Sequence, residues 1–124
     1  MLSRCDLIGF IPTKDPAEAR TFYEQTLGLR FLSDDIFAIV MEAKGNMIRI
    51  VQVKEFTPFA FTILGWEVGN IENEVAALAA RGISFKRYPW LEQSESGVWT
   101  APGGAKVAWF QDPDGNVLSL SQHP

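Results

Sequence analysis

Cysteine and histidine are nearly missing: Cys5 and His123 are the only ones in 124 residues. One thiol excludes an internal disulfide and makes a reducing compartment the simplest setting, with Cys5 read as structural. One histidine, next to the chain end, suits a solvated terminus better than a catalyst, so neither a histidine triad nor a histidine-rich metal site is expected. A basic block is missing too: eleven Lys and Arg stand against fifteen Asp and Glu, a net charge of −4. That excludes the basic face a nucleic-acid partner calls for. No apolar run approaches the ~20 residues of a membrane helix. Met1 to Asp6 carries no apolar signal core, so a cytoplasmic protein is expected. What is present is a globular balance, 47% hydrophobic and 21% charged, in a length that suits one domain with a real core.

Two segments have helical marks. Asp15-Pro16-Ala17-Glu18 supplies an N-cap, a proline at the first helical position and an acidic residue three beyond the cap. Ala19, Phe22, Tyr23 and Leu27 then recur at helical spacing, and Gly28 is a natural stop. The second helix starts at Asn70, carries Ile71, Val75, Leu78 and Ala79 on one stripe, and stops at Gly82 after Arg81. The remaining apolar runs read as strands: 6–13, 29–33, 36–43, 47–53, 61–68, 83–87, 98–101, 106–111 and 117–121. Lys44-Gly45-Asn46 and Asp112-Pro113-Asp114-Gly115-Asn116 read as hairpin turns.

The chain repeats itself. Gly45-Asn46-Met47-Ile48-Arg49-Ile50 has its counterpart in Gly115-Asn116-Val117-Leu118-Ser119-Leu120, and Gly28-Leu29-Arg30-Phe31 in Gly82-Ile83-Ser84-Phe85. Two matches in the same order indicate a duplicated unit. Each half reads as βαβββ, with a helix covering one face of a sheet and the other face left for a second half, a ligand or another chain. Residues 47–53 are apolar at both parities, which fits a strand covered on both sides. Tyr88 to Gly97, with Pro89 and a polar run, reads as a surface loop or lid. The expected fold class is α+β: tandem βαβββ modules with curved mixed sheets enclosing a central cavity. One domain is expected over 1–124, its halves at about 4–55 and 60–122.

These residues carry a resemblance. A first strand leading to Asp15, a helix with Phe22-Tyr23, then Leu27-Gly28-Leu29, resembles the opening of vicinal oxygen chelate proteins, the glyoxalase/bleomycin-resistance/dioxygenase superfamily. Phe110-Gln111-Asp112-Pro113-Asp114-Gly115-Asn116 resembles that superfamily's closing hairpin. The likeness covers nearly the whole chain, and its members range from glyoxalases and ring-cleaving dioxygenases to drug-sequestering proteins. Metal-using members place His, Gln or Glu on the first and last strand of each half. Carried onto this sequence, those positions are Ile8, Arg49, Ile63 and Ser119. Isoleucine cannot ligate, arginine is a permanent cation, and one serine is a poor site. No metal and no cofactor is therefore expected. The resemblance also implies a homodimer, since relatives pair halves across chains, and an uncovered sheet face points the same way.

Arg49 is the most informative residue. Inside an apolar strand it needs an acceptor, because a lone buried charge costs several kcal/mol or more. That acceptor is either an anionic ligand or an internal carboxylate, with Glu67, Glu42 and Asp6 as the ones to consider. Trp90, in the polar loop, and Trp99, just after it, are placed to stack on a planar ligand or simply to pack. Phe56, Phe59 and Phe61 surround Pro58 and suit a pocket rim or a dimer contact. Glu67 is a weak candidate for a general base. Asp112 and Asp114 read as turn formers and Tyr23 as packing. The expected function is metal-independent small-molecule binding, through Arg49, Ile8, Ile63, Ser119, Trp90 and Trp99. The alternatives are an isomerase- or lyase-like enzyme acting on a small acidic substrate through Arg49 and Glu67, and a structural or interaction module with a filled interior.

Overall fold

A computed structural model describes residues 1–124. Contacts divide the chain into two compact units, Met1–Thr57 and Pro58–Pro124. In the first, a short 3-10 turn at Leu2–Arg4 precedes β1 (Ile8–Thr13). The first helix, α1 (Pro16–Arg20), continues as a π turn over Thr21–Thr26. Three strands follow: β2 (Arg30–Asp34), β3 (Ala38–Ala43) and β4 (Asn46–Gln52). Asp15 caps α1 by accepting the Glu18 N–H at 3.2 Å, with Pro16 in the first position, as its sequence foretells. The helix widens at its end, where Leu27 N–H reaches Phe22 O at 2.9 Å, a five-residue step. Gly28 then takes a positive φ of 77° and turns the chain into β2.

The sheet order is β1-β4-β3-β2, with β1 parallel to β4 and the other pairs antiparallel. A parallel neighbour needs a crossover, and α1 supplies it. Alternation then sorts the strands. Ile11, Ile39, Met41, Ile48 and Ile50 are buried with Tyr23 and Ala19 of the helix. The opposite parity, Ile8, Phe10, Met47, Arg49 and Val51, is half-buried or exposed.

The second unit repeats this plan with β5 (Thr62–Glu67), α2 (Ile71–Ala80), β6 (Trp99–Thr100), β7 (Lys106–Gln111) and β8 (Val117–Gln122). Its order is β5-β8-β7-β6, again with the first and last strands parallel. Asn70 caps α2 by accepting Asn73 N–H at 3.0 Å, and Ile71 and Val75 are buried. Phe110 is fully buried, with Trp66 stacked at 6.4 Å and Phe85 edge-on at 5.6 Å between ring centres. The Asp112–Asn116 turn is organised by one carboxylate: Asp112 accepts from Asp114 N–H at 3.0 Å, and from Asn116 N–H and Asn116 Nδ2 at 2.9 Å each. These aspartates are turn formers, as the sequence pattern indicates. Two mixed four-stranded sheets, each served by one helix, make this the α+β duplicated fold read from the repeat.

Three details depart from the sequence reading. Residues 83–87 form no strand: one backbone bond, Lys86 N–H to Trp109 O at 2.7 Å, ties them to β7. Their apolar character is spent on packing, with Phe85 set against Phe110. The strand at 36–43 begins at Ala38 instead, because Asp35 Oδ1 accepts the N–H groups of Phe37 at 2.8 Å and Ala38 at 2.7 Å and bends the chain there. Finally, β5 carries a bulge between Thr62 and Leu64, so that Ile63 is an extra residue without a partner on β8.

Candidate functional site

Arg49 lies mid-strand in β4, beside Phe10 of β1 and Val40 of β3. Ile48 and Ile50 on either side are buried, so alternation sends Arg49 to the face away from α1. Ile8 is on this face too, one pleat further along β1, and is paired with Met47. Ile8 and Phe10 are exposed.

The acceptor for Arg49 is none of the three carboxylates the sequence suggested. Arg49 Nη2 donates to Asp35 Oδ2 at 3.1 Å. Glu42 sits instead 3.9 Å from Arg30, and Glu67 holds His123. Asp35 is 14 residues away in the β2–β3 turn, a place that strand patterning leaves blank. Its other oxygen caps the turn, so the carboxylate is held in position before it meets the guanidinium. The Phe37 N–H, the Ala38 N–H and then Arg49 hold the Asp35 carboxyl below its ordinary 3.8. A depressed carboxyl contributes stability that is complete above its unfolded value and is lost as pH falls through the folded one. The Phe37 and Ala38 amide resonances should therefore titrate with a midpoint below 3.8. An Asp35 midpoint at or above 3.8 would contradict this assignment.

In the second unit the position matching Arg49 is Ser119, paired with Trp109 on β7 and Gly65 on β5. The bulge makes Gly65, and not Ile63, the β5 neighbour of Ser119. A Cβ on Gly65 would lie 2.9 Å from Ser119 Oγ and 3.2 Å from its carbonyl oxygen, so the serine fills the space over the glycine. Glu67, the weak candidate for a base, grips the chain end: one oxygen accepts the His123 N–H at 2.8 Å and the other meets His123 Nδ1. His123 is thus tethered and not frayed, and both Glu67 oxygens are engaged. The His123 backbone N–H, then its ring, hold the Glu67 carboxyl below the usual range.

Trp90 and Trp99 belong to one aromatic chain. Trp90 contacts Tyr88 with ring centres 5.0 Å apart. Tyr88 stands edge-on to Trp109 at 5.3 Å, and Trp109 lies 6.2 Å from Trp99. The neighbours of Trp109 on β7, Ala108 and Phe110, are fully buried, so Trp109 faces away from α2 with Ser119. Trp90 is 76% exposed. The loop bearing it is pinned from within. Arg87 Nη1 donates to Ser94 O at 2.7 Å and Glu95 O at 3.2 Å. The Gln93 side chain accepts Tyr88 N–H at 2.7 Å and donates to Lys86 O at 3.0 Å and Gly97 O at 2.8 Å. Patterning singled out Trp90 and Trp99; alternation along β7 could have added Trp109, while Tyr88 lies in the loop before β6, where no periodicity marks it.

The residues at the four family positions do not fit a divalent ion. Ile8, Arg49, Ser119 and either Ile63 or Gly65 offer one neutral oxygen and one fixed positive charge. No three His, Cys, Asp or Glu side chains converge anywhere in the chain.

Two βαβββ units, each closed by a parallel first and last strand, define a class of duplicated α+β proteins. The chain belongs to the Glyoxalase/Bleomycin resistance protein/Dioxygenase superfamily, whose family model matches residues 4–120. No curated protein matches it at a significant level. Among solved structures it is similar to a superfamily member from Sphaerobacter thermophilus DSM 20745, at 19% identity and a TM-score of 0.77, covering 99% of this chain and 100% of that one. It is also similar to TnmS3, an antibiotic binding protein from Streptomyces sp. CB03234, at 25% identity and a TM-score of 0.70, covering 100% and 99%. A lactoylglutathione lyase from Agrobacterium tumefaciens aligns over 96% and 93%, at 11% identity and a TM-score of 0.73, a likeness of fold alone.

Proposed function

We propose that this protein is a single-domain, cytoplasmic, metal-independent binder of small molecules that are anionic, planar or both. One observation carries the reading: at a family ligand position stands Arg49, on a sheet face away from the core, with Asp35 as its one protein partner. A guanidinium has five N–H donors, and a single hydrogen bond leaves the rest for a carboxylate or phosphate. The exposed Trp90 and the rings behind it give a flat group something to stack on. Ile8 is proposed as apolar lining beside Arg49 in the first unit, and Ile63, Ser119 and Trp99 as apolar or weakly polar lining in the second. TnmS3, the relative described as antibiotic binding, supports the same reading. The enzyme alternative has less support, because both oxygens of Glu67 are taken by His123. Elemental analysis of freshly purified protein tests the metal-independent part. No stoichiometric zinc, nickel, iron or manganese is expected; one tightly held ion per chain would overturn it.

The binder is proposed to work as a homodimer. Ile8 and Phe10 leave an exposed apolar strip on the first sheet, and Phe59 and Phe61 stack at 4.8 Å in the open. A two-fold axis buries such strips against a second copy without new sequence. Sedimentation at micromolar concentration should give twice the 13.8 kDa chain mass. A clean monomer would count against it.

A further inference from the structure

A cleft in the first unit is lined by chain neighbours of the Arg49–Asp35 pair, though by neither residue itself. About 480 Å³ in volume, the cleft is lined by Lys14, Ile36, Phe37, Val51, Val53 and Lys54, with Gln52 between the two valines. Such a volume lies within the roughly 300–1,000 Å³ of small-molecule sites. Val51 follows Arg49 by two residues, so it lies next along the same strand face. Ile36 and Phe37 follow Asp35 directly, and Phe37 is exposed. Its lining thus carries on from the ion pair through Ile36 and Phe37 on one side and Val51 on the other, with four apolar side chains, one glutamine and two lysines. Arg49 supplies the cationic N–H donors that the oxygens of an anion need.

We propose that Asp35 is an internal competitor: it occupies Arg49 as a stand-in for the carboxylate of an apolar acid, which displaces it and lays its body in this cleft. The inference rests on the reading of Arg49 as a ligand-binding residue and adds a ligand class and a residue that sets affinity. Asp35 is suited to the part. One oxygen stays on the Phe37 and Ala38 N–H groups, and only the other must give up Arg49. Exchange costs little, because the pair is open to water, with 27% of the Arg49 and 45% of the Asp35 side chain exposed. The incoming acid restores the charge pairing and adds apolar contact with Phe37, Val51 and Val53.

Titration with 2-naphthoate and its neutral amide tests this on the full chain. Asp35→Asn keeps an oxygen for the two backbone N–H groups and removes the charge. It should tighten 2-naphthoate binding by about two- to fivefold, in line with the loss of a part-exposed competing ion pair, and leave 2-naphthamide unchanged. Asp35→Ser, which also keeps an acceptor for the turn, should act in the same direction. Amide shifts on binding should concentrate at Phe37, Val51, Val53 and Lys54. If Asp35→Asn and Asp35→Ser bind no better than the parent while Arg49→Met weakens binding, Asp35 is no competitor and only the reading of Arg49 survives. Should 2-naphthoate bind equally well without Arg49, or not bind the parent and Asp35→Asn at all, both fail. Shifts confined to other segments overturn the placement in the cleft.

Discussion

Arg49→Met leaves the fold standing and weakens 2-naphthoate binding by about 10- to 100-fold, the loss expected when a charge-assisted hydrogen bond worth about 1.5–3 kcal/mol disappears. The small stability cost follows from exposure. Had the acceptor been a buried carboxylate, removing the guanidinium would strand it at about 3–5 kcal/mol. Asp35 is instead a turn residue with 45% of its side chain exposed, and part-exposed pairs are worth about 0–1 kcal/mol. Methionine keeps an unbranched apolar stem at the position paired with Phe10 and Val40. Thermal melts and titrations on the same sample separate the effects. A large drop in melting temperature would show that Arg49 is structural; an unchanged affinity would show that it does not bind.

Phe110→Ala has the largest expected effect on folding. The ring is fully buried on the helix-covered face of β7, between Trp66 and Phe85, with Ala108, Leu118 and Leu120 also buried on that face. Truncating such a ring removes transfer energy and leaves a cavity, at about 3–5 kcal/mol. Trp66 and Phe85 lose their common neighbour, and 83–87 lose the ring contact that joins the Lys86 N–H bond in holding them to β7. Denaturant unfolding should show a lower midpoint with the slope unchanged. A cost under about 1 kcal/mol would mean that the core of the second unit is not built around this ring.

Both sheets and both helices were legible because their signals are local. Caps at Asp15 and Asn70, stops at Gly28 and Gly82, and alternation around Ile48 and Ile50 decide their surroundings with little help from the rest of the chain. The repeated Gly-Asn turn gave the duplication, and position-by-position transfer gave Arg49 and Ser119. Partners across sequence were less legible. Asp35 sits in a turn, where no periodicity marks it, and its capping role shortens β3. The bulge at Ile63 shifts the β5 register and brings Gly65 beside Ser119; an isolated glycine within a strand run, here Gly65, is the hint that strand counting passed over. His123 looked like a loose end, because nothing near it in sequence announces the carboxylate of Glu67. Residues 83–87 have strand composition, yet Phe85 points its ring at Phe110 while their backbone makes a single ladder bond; tertiary packing there overrides strand propensity.

Calorimetry on metal-stripped protein distinguishes binding by the protein's own side chains from binding through an ion. Protein dialysed against a chelator is titrated with 2-naphthoate, with and without added zinc or manganese, and the probe is recovered afterwards. One and the same isotherm is expected in every case, with the probe recovered unchanged. Binding that appears only with the metal present, or a probe converted to product, would contradict metal-independent binding.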